Sequence, residues 1–299
     1  MPLISSFQSW QMSFKKILKV VESKWQSEGR GAKVRRSIGR HELRNLDPFL
    51  LLDEFQGNAN DGAGFPDHPH RGFETVSYLL EGKFIHEDFT GRRGEMGPGD
   101  LQWMTAGRGI VHSEMPGNCL TRGLQLWVNL KKVDKMVEPA YQEHRAGDIP
   151  CATKDGVTVK VIAGESMGVK SMVRTRTPTY YLDFKLAPAS QPFIQNIPSG
   201  WTTFVYVLEG KVLFGDQIVR SHHTAVFSSK EEEIEIKNPA EESAHFVLIS
   251  GEPINEPIFQ HGPFVMNSEK EIRQAIIDFQ NCQNGFEHAR TWKSEEGNA

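Results

Sequence analysis

The chain has 299 residues and a formal net charge of −4, with 38% hydrophobic and 24% charged residues. This balance is typical of a globular protein and excludes a disordered chain, and the length is enough for two ordinary domains. No apolar run approaches the ~20 residues of a membrane helix, and the slight negative charge excludes a general electrostatic attraction to nucleic acid.

The first 27 residues are predicted to be an N-terminal extension. Four lysines between positions 15 and 24 follow the first apolar residues instead of preceding them. Because no apolar block stands before a small-residue cleavage site, the order differs from that of a secretory signal peptide. Residues 1–11 are interpreted as additional sequence with Met12 as an alternative start, and a cleaved transit peptide is the competing interpretation.

An internal repeat comes next along the chain. The sequence TVSYLLEGKF at 75–84 reappears as TFVYVLEGKV at 203–212. Both copies are short alternating or β-branched runs that end at a glycine, which is the pattern of a strand followed by a tight turn. Two such copies indicate a duplicated β-domain, and many short strands with glycine turns favour a sandwich or a barrel, of which the jelly roll is one form.

The repeat predicts an all-β fold of two tandem jelly-roll barrels with a short C-terminal helix. The first domain is placed at 28–137 and the second at 151–299. Residues 138–150 are polar, contain two prolines, and are predicted to form a linker. Apolar residues at 3- and 4-residue spacing in 269–279 predict the helix, which we expect to pack on the second barrel.

Two short motifs supply candidate metal ligands. His68 and His70 flank a proline, and His112 and Glu114 flank a serine. Residues i and i+2 of a strand point to the same face, so each motif projects two ligands together. If the barrel brings both strands side by side, three imidazoles and one carboxylate form a cluster that suits a divalent transition metal.

One iron ion per chain is the predicted cofactor. Three nitrogens and one oxygen with open coordination positions resemble a mononuclear non-haem iron site. Manganese, nickel, copper and zinc can enter the same ligands, so the ligand types alone leave the metal open.

The chain resembles the pirin family of cupins over nearly its whole length from about residue 26. The resemblance is carried by FPDHPHRGFETVSYLLEG and PGDLQWMTAGRGIVHSEMP, and by the segments at 35–40, 46–50, 123–130, 260–267 and 291–294. It implies an iron-binding bicupin of the nucleus and cytoplasm. It also implies contacts with transcription factors of the NF-κB/Rel and nuclear factor I groups, and, for some members, quercetin 2,3-dioxygenase activity.

Carried over residue by residue, the family's four ligands fall on His68, His70, His112 and Glu114. Cupins in general take a glutamate from the first motif, so Glu74 is kept as a second-choice ligand. Alignment of the second copy on the first places Asn196 and Pro198 opposite the two leading histidines. We therefore expect no metal in the second domain, and we interpret the adjacent His222 and His223 as surface residues.

The resemblance supports two functions of different kinds. The first is a redox-sensitive transcriptional coregulator that contacts its partner by protein-protein interaction, because a change between Fe(II) and Fe(III) alters the local charge by one unit. The second is primarily a dioxygenase that acts on a flavonol and O₂, with Glu114 as ligand and catalytic base.

Further residues are weighed for both functions. Phe65, Phe73 and Trp103 are candidate walls of an apolar pocket, with ordinary core packing as the alternative. Arg71 and Gln125 are candidates for orienting the ligands by hydrogen bonds. The basic residues Lys33, Arg35, Arg36, Arg40 and Arg44 are interpreted either as an edge strand exposed to solvent or as a contact for an acidic partner.

Overall fold

The computed structural model describes residues 13–117 and 120–298. The segment 1–11 and the alternative start at Met12 lie outside the described residues. Strands dominate the described chain and one α-helix stands near its C-terminal end, which confirms the predicted all-β fold. Within the described ranges, no helix is long and apolar enough to cross a membrane.

Twelve strands occupy the first half of the chain. They are β1 (Ile17–Glu22), β2 (Trp25–Glu28), β3 (Ala32–Ile38), β4 (Phe49–Asn58), β5 (Phe65–His70), β6 (Phe73–Glu81), β7 (Phe84–Asp88), β8 (Arg93–Met96), β9 (Leu101–Thr105), β10 (Ile110–Pro116), β11 (Leu120–Asn129) and β12 (Ala140–His144).

Fourteen strands and the helix occupy the second half. They are β13 (Cys151–Lys154), β14 (Val157–Ala163), β15 (Glu165–Ser166), β16 (Val169–Lys170), β17 (Thr179–Leu186), β18 (Phe193–Asn196), β19 (Thr202–Glu209), β20 (Lys211–Phe214), β21 (Gln217–Arg220), β22 (His223–Phe227), β23 (Glu233–Lys237), β24 (Ala244–Gly251), β25 (Phe259–His261), β26 (Phe264–Met266) and α1 (Glu269–Asn281). Short 3₁₀ turns lie at Ala59–Asp61, Lys132–Asp134 and Glu296–Asn298.

The first barrel consists of a seven-stranded and a four-stranded antiparallel sheet. The larger sheet has the order β12-β9-β6-β11-β4-β3-β2, and the smaller has the order β5-β10-β7-β8. The segment predicted as a linker contains β12, whose Tyr141 pairs with Met104 of β9. This segment thus extends the first sheet, because its backbone finds hydrogen-bonding partners along an exposed strand edge.

The second barrel repeats the same layout. Its larger sheet has the order β1-β22-β19-β24-β17-β14-β13 and its smaller sheet the order β18-β23-β20-β21. The sequence repeat corresponds to the turns at Gly82 and Gly210, whose φ angles are +80° and +72°. A side chain at Gly82 would also meet the Leu120 carbonyl oxygen at 2.2 Å, so both the conformation and the space favour glycine there.

The N-terminal strand belongs to the second barrel, although it precedes the first. β1 pairs antiparallel with β22, and Val20 lies opposite Ala225. The described part of the predicted extension therefore adds a strand to the distant domain. β2, which follows it, pairs with β3 at the edge of the first barrel.

The two seven-stranded sheets pack face to face and form the interface between the barrels. Their shared core includes Trp103 from the first barrel and Tyr181 and Phe204 from the second, each with no exposed surface. The hydroxyl of Tyr78 donates a hydrogen bond to Asp183 across this interface at 2.7 Å. Trp103, predicted as a pocket wall, instead lies in the core between the domains.

The C-terminal helix begins at the predicted residue and runs two residues beyond the predicted end, to Asn281. The side chain of Ser268 accepts a hydrogen bond from the backbone N–H of Glu271, and Cys282 ends the helix in the left-handed conformation. The expected packing on the second barrel is wrong, however. Ile272 and Ala275 pack in one cluster with Val111 of β10, so the helix covers the smaller sheet of the first barrel.

Candidate metal centre

Three predicted ligands meet between strands β5 and β10. His112 lies opposite His68 in the antiparallel pairing, and His70 is two residues farther along β5 on the same face. The ring centroids of His68 and His112 are 4.3 Å apart, and one ligand nitrogen from each of the three histidines lies within 4.8 Å of the others. Strand alternation and cross-strand pairing together bring the three imidazoles to one point.

The ring of His68 is oriented by a backbone contact. Its Nδ1 lies 2.8 Å from the carbonyl oxygen of Pro66, which can only accept a hydrogen bond. Nδ1 therefore carries the proton, and Nε2 keeps a lone pair. This is the arrangement commonly found in metal-binding histidines, where a second hydrogen bond fixes the tautomer and the ring.

His112 provides the test of whether a metal fits. Its side chain has no exposed surface, and neither ring nitrogen has a hydrogen-bond partner among the described residues. A buried polar atom without a partner costs about 1–3 kcal/mol, so an imidazole with two such atoms is unfavourable unless something binds it. A metal ion on one nitrogen would remove much of this cost, and the donor set fits such an ion.

All three histidines are held in the neutral form that binds metals. Burial lowers the pKa of His68. Burial also lowers the pKa of His70 and His112 well below the ordinary value, and for these two residues the neighbouring imidazoles lower it further. Neutral imidazole is the metal-binding species, and proton competition for the site is therefore weak near neutral pH.

Glu114 lies beside the cluster, and its carboxylate already has partners. Ser77 Oγ donates to one carboxylate oxygen and Gln125 Nε2 to the other, each at 2.8 Å. Burial raises the pKa of Glu114 to about 7, although these two hydrogen bonds lower it. Its role as the fourth ligand stays a prediction. Gln125 orients this carboxylate through its hydrogen bond, as the sequence predicted.

Glu74, the second-choice ligand, points away from the histidines. On β6 the side chain of Ser77 faces Glu114, so Glu74, three residues earlier, projects from the opposite face. Its carboxylate is buried and accepts a hydrogen bond from Thr105 Oγ1 at 2.7 Å. It is therefore not placed to complete the cluster.

A cavity of about 910 Å³ opens onto the cluster. Its lining combines His68, His70 and Glu114 with aromatic residues, including the predicted Phe65. Small-molecule sites typically have volumes of roughly 300–1,000 Å³, and this cavity falls within that range. Its lining is mixed, because charged residues such as Arg36 and Asp53 stand beside the aromatic ones. Pro263 and other residues of the segment 258–263 line one side, so the second half of the chain closes the cavity of the first barrel.

Two aromatic residues support His70. The ring of Trp127 lines the cavity with its centroid 5.2 Å from that of His70, and Phe73 packs behind both at 5.1 Å from His70. Phe73 was a predicted wall, but Trp127 was missed. Its position two residues after Gln125 on one strand would have revealed it, because the two share a face.

His86 is a single histidine on β7, so no sequence motif indicates its place near the cluster. Its ring lies 5.2 Å from His112 and its Nε2 is 3.2 Å from the hydroxyl of Tyr141 on β12. Burial lowers the pKa of His86 to about 4. A neutral ring thus packs directly behind His112 and limits its movement.

The basic stretch is largely engaged within the chain. Arg36 forms an ion pair with Asp53 at 2.8 Å, Arg35 contacts Glu54 at 3.4 Å, and Arg40 pairs with Glu42. Moreover, β3 lies between β2 and β4, which corrects the interpretation as an edge strand. Three of the five basic residues are therefore paired with acidic groups of the same chain, which leaves fewer of them free to contact a partner.

The equivalent positions of the second barrel carry different residues. By sheet order β23 corresponds to β10 and β18 to β5, and the buried residues of β23 are Ile234 and Ile236. Ile236 lies opposite Phe193 in the pairing. His222, interpreted as a surface residue, instead reaches the domain interface, where its Nδ1 lies 3.4 Å from the Glu54 carboxylate.

Comparisons with known proteins identify relatives of both barrels. The Pirin family model matches residues 31–128, and the Pirin C-terminal cupin domain model matches residues 181–285. The chain is 59% identical to Pirin of Homo sapiens over 292 residues, which cover 96% of this chain and 99% of that protein.

Two solved structures extend the comparison. Quercetin 2,3-dioxygenase from Acinetobacter baumannii is 37% identical with a TM-score of 0.83, covering 90% of this chain and 98% of that one. Bacterial pirin YhhW of Escherichia coli, in complex with nickel(II), is 18% identical with a TM-score of 0.63, covering 79% and 99%. At that identity the second likeness concerns the fold alone.

Proposed function

This chain belongs to the pirin family, and on that premise we propose that its first barrel is a metal-dependent dioxygenase site that acts on a flavonol such as quercetin. One observation carries the proposal. Three neutral histidines converge, one of them with both ring nitrogens unpartnered, and two of the three line a cavity large enough for a small aromatic molecule. The similarity to a quercetin 2,3-dioxygenase supports the choice of substrate class.

His68, His70 and His112 would hold the metal, and iron is the metal we propose. A bound divalent ion of this kind supplies a Lewis acid that acidifies a coordinated hydroxyl and a template that holds two reactants together. Three nitrogens with Glu114 nearby resemble the ligand types of non-haem iron sites, although nickel, copper, manganese and zinc share these preferences.

Glu114 would accept the proton of the substrate hydroxyl at Oε2. Its pKa of about 7 means that ionised and protonated forms are both populated near neutrality, which suits a group that takes up and returns a proton. Gln125 and Ser77 hold the carboxylate in place on the histidine side of the cavity.

The aromatic lining would position the substrate and exclude water. Phe65, Phe84 and Trp127 all line the cavity, and Trp127 stacks edge-on against His70. The flat faces of these aromatic side chains favour a planar aromatic ring system over a sugar or a peptide. We expect the ring to lie along Trp127 with its hydroxyl groups directed at the histidines.

Oxygen consumption with quercetin tests this proposal. His68→Ala should reduce turnover to the level of free metal, because the variant loses a metal ligand. His223→Ala is a matched control, since its ring Nδ1 also contacts the carbonyl oxygen two residues earlier, at 2.9 Å, but in the second barrel. If the metal-loaded wild-type protein shows no turnover above free metal, the dioxygenase assignment is wrong.

The coregulator role is a second proposal, with presence in the nucleus and a transcription factor of the NF-κB/Rel or nuclear factor I type as partner. The position of Arg44 favours this proposal. Among the described residues it has no ion-pair partner, and it lines the cavity of the histidines, so the metal's charge could influence what binds near it. Partner affinity should differ between the ferrous and ferric forms and fall in Arg44→Glu. Equal affinity in both forms would exclude a redox switch.

A further inference from the structure

The ligand strand β5 has a second face that the proposed chemistry does not use. His68 and His70 point to the metal cluster, so Asp67 and Arg71 on either side of them point outward. On β10, Val111 and Ser113 likewise point away from the cluster to which His112 contributes. This outer face is covered by the C-terminal segment, residues 268–298, which we call the C-terminal clamp.

Asp67 is bound by the end of the clamp. Its carboxylate accepts hydrogen bonds from the hydroxyl and the backbone N–H of Ser294, the latter at 3.3 Å, and from Asn298 Nδ2 at 3.0 Å. Ser294 is only 4% exposed. Three donors from one turn therefore converge on the residue that immediately precedes the first metal histidine.

Arg71 is bound by the helical part of the clamp. Its guanidinium donates to Asp278 at 2.8 Å and to the carbonyl oxygen of Asn284 at 2.6 Å, and it lies over the ring of Phe286. Arg71 and Asp278 are both almost completely buried, which makes this pair costly to break from either side. The residue that follows the second metal histidine is thus fixed as firmly as the one before the first.

The clamp also seats on the neighbouring strands. A β-carbon at Gly297 would overlap with Ser294 Oγ of the same turn and lie 3.3 Å from Ser113 Cβ, so glycine suits this position where the last turn meets β10. The Glu87 carboxylate on β7 accepts hydrogen bonds from the backbone of Glu295 and Glu296, at 3.3 and 2.9 Å. Val111 packs in one cluster with Ile272 of the helix.

We propose that the C-terminal clamp sets the strength of metal binding in the first barrel, with Asp67 and Arg71 as positioning residues for His68 and His70. The inference rests on the proposed metal site. A metal binds tightly only where its ligands are held in place before it arrives, and loss of such outer support typically lowers affinity about 10- to 100-fold. The support here comes from a part of the chain more than 150 positions away from the ligands.

The experiment compares two buried serines, one in each barrel. Ser294→Ala removes the hydroxyl that binds Asp67 beside the ligands. Ser166→Ala removes a hydroxyl that donates to Gln195 Oε1 at 2.6 Å in the second barrel, and it serves as the matched control. Asp67→Asn is a third variant that keeps one acceptor oxygen. The full-length proteins are loaded with Fe(II) without oxygen, and the rate of iron transfer to a ferrous chelator in excess is followed by absorbance.

We expect Ser294→Ala to release iron about 10-fold faster than wild type, and Asp67→Asn to fall between the two. Ser166→Ala should release it at the wild-type rate. The thermal midpoints of the metal-free serine variants should drop by a similar amount, which separates positioning from general destabilisation. Equal release rates in all four proteins would overturn the proposal that the C-terminal clamp sets the strength of metal binding. The dioxygenase proposal would not be affected by that result. A wild-type protein that takes up no metal would overturn both.

Discussion

The two barrels share one strand layout but fill their interiors with different chemistry. At the buried positions of β23 the second barrel has Ile234 and Ile236, and they belong to an apolar core that includes Phe184 and Phe246. At the corresponding strand of the first barrel stands His112, with two unpartnered nitrogens, beside an open cavity. One copy of the duplicated fold is packed for stability, while the other keeps polar groups and space that packing alone would remove.

The first barrel, which has the polar interior, is supported by contacts on its outer surface. The first barrel receives the C-terminal clamp from the second half of the chain, and the second barrel receives β1 from the N-terminal end. The two large sheets also bury a common core between them. The apolar copy thus stabilises the polar copy through contacts on its outside, because its inside is reserved for ligands.

The largest expected effect follows from making the first barrel resemble the second. His112→Ile should abolish metal uptake, because one of three converging nitrogens is lost. It should also stabilise the metal-free protein by about 1–3 kcal/mol, since two unpartnered buried nitrogens disappear. Equilibrium dialysis with Fe(II) and urea unfolding of the metal-free protein measure the two effects. Metal binding retained in this variant would show that His112 is not a ligand and would contradict the proposed difference between the barrels.

The reverse effect is expected in the second barrel. Ile234→Ala opens a void in a fully buried core and should lower the free energy of unfolding by about 2–5 kcal/mol. The number of metal ions bound per folded chain should not change. Denaturant unfolding followed by elemental analysis checks both, and a loss of metal from the folded variant would show that the barrels are not separable in function.

Metal addition should stabilise the protein through the first barrel. A ligand present at about 100 times its dissociation constant adds roughly 2.7 kcal/mol to the free energy of unfolding if only the folded state binds it. The gain should appear in wild type and in His223→Ala, and vanish in His112→Ile. Thermal unfolding with and without a chelator provides the measurement, and a gain that persists in His112→Ile would point to a metal site elsewhere.

The smallest effect concerns acid stability and the helix on the first barrel. Burial raises the pKa of Asp278, but hydrogen bonds from Arg71 and other donors outweigh it and lower the pKa from 3.8 to about 2. A carboxyl group whose pKa is lower in the folded state stabilises the fold at pH values above its pKa in the unfolded state. About 2 kcal/mol of the free energy of unfolding should therefore be lost as the pH falls from 4 to 2. Urea unfolding across this range should show a smaller loss in Asp278→Asn. An identical loss would assign the acid sensitivity to other groups.

The sequence was sufficient for the fold class and for the convergence of three ligands. Strand alternation predicts that His68 and His70 share a face, and the duplicated segment at 75–84 predicts two β-domains. The helix at 269–279 follows from its apolar spacing. Each of these features depends on neighbours within a few residues, which is the range in which local patterns are informative.

The remaining features depend on contacts between distant segments. β1 pairs with β22, about 200 positions away, and no local pattern identifies that partner. The apolar face of the helix was recognised, but not the barrel on which it packs. Glu74 was kept as a second-choice ligand and Trp103 as a candidate pocket wall because both strands are buried on two sides, and a strand of this kind gives no alternation from which to choose a face.

The metal content of the purified wild-type protein, determined by elemental analysis per chain, tests the asymmetry of the barrels most directly. We predict one transition-metal ion per chain, with iron as the main element, because the three histidines converge only in the first barrel within the described chain. Two ions per chain would contradict the asymmetry by placing a second site in the apolar copy. A protein without a stoichiometric transition metal would contradict the metal centre itself.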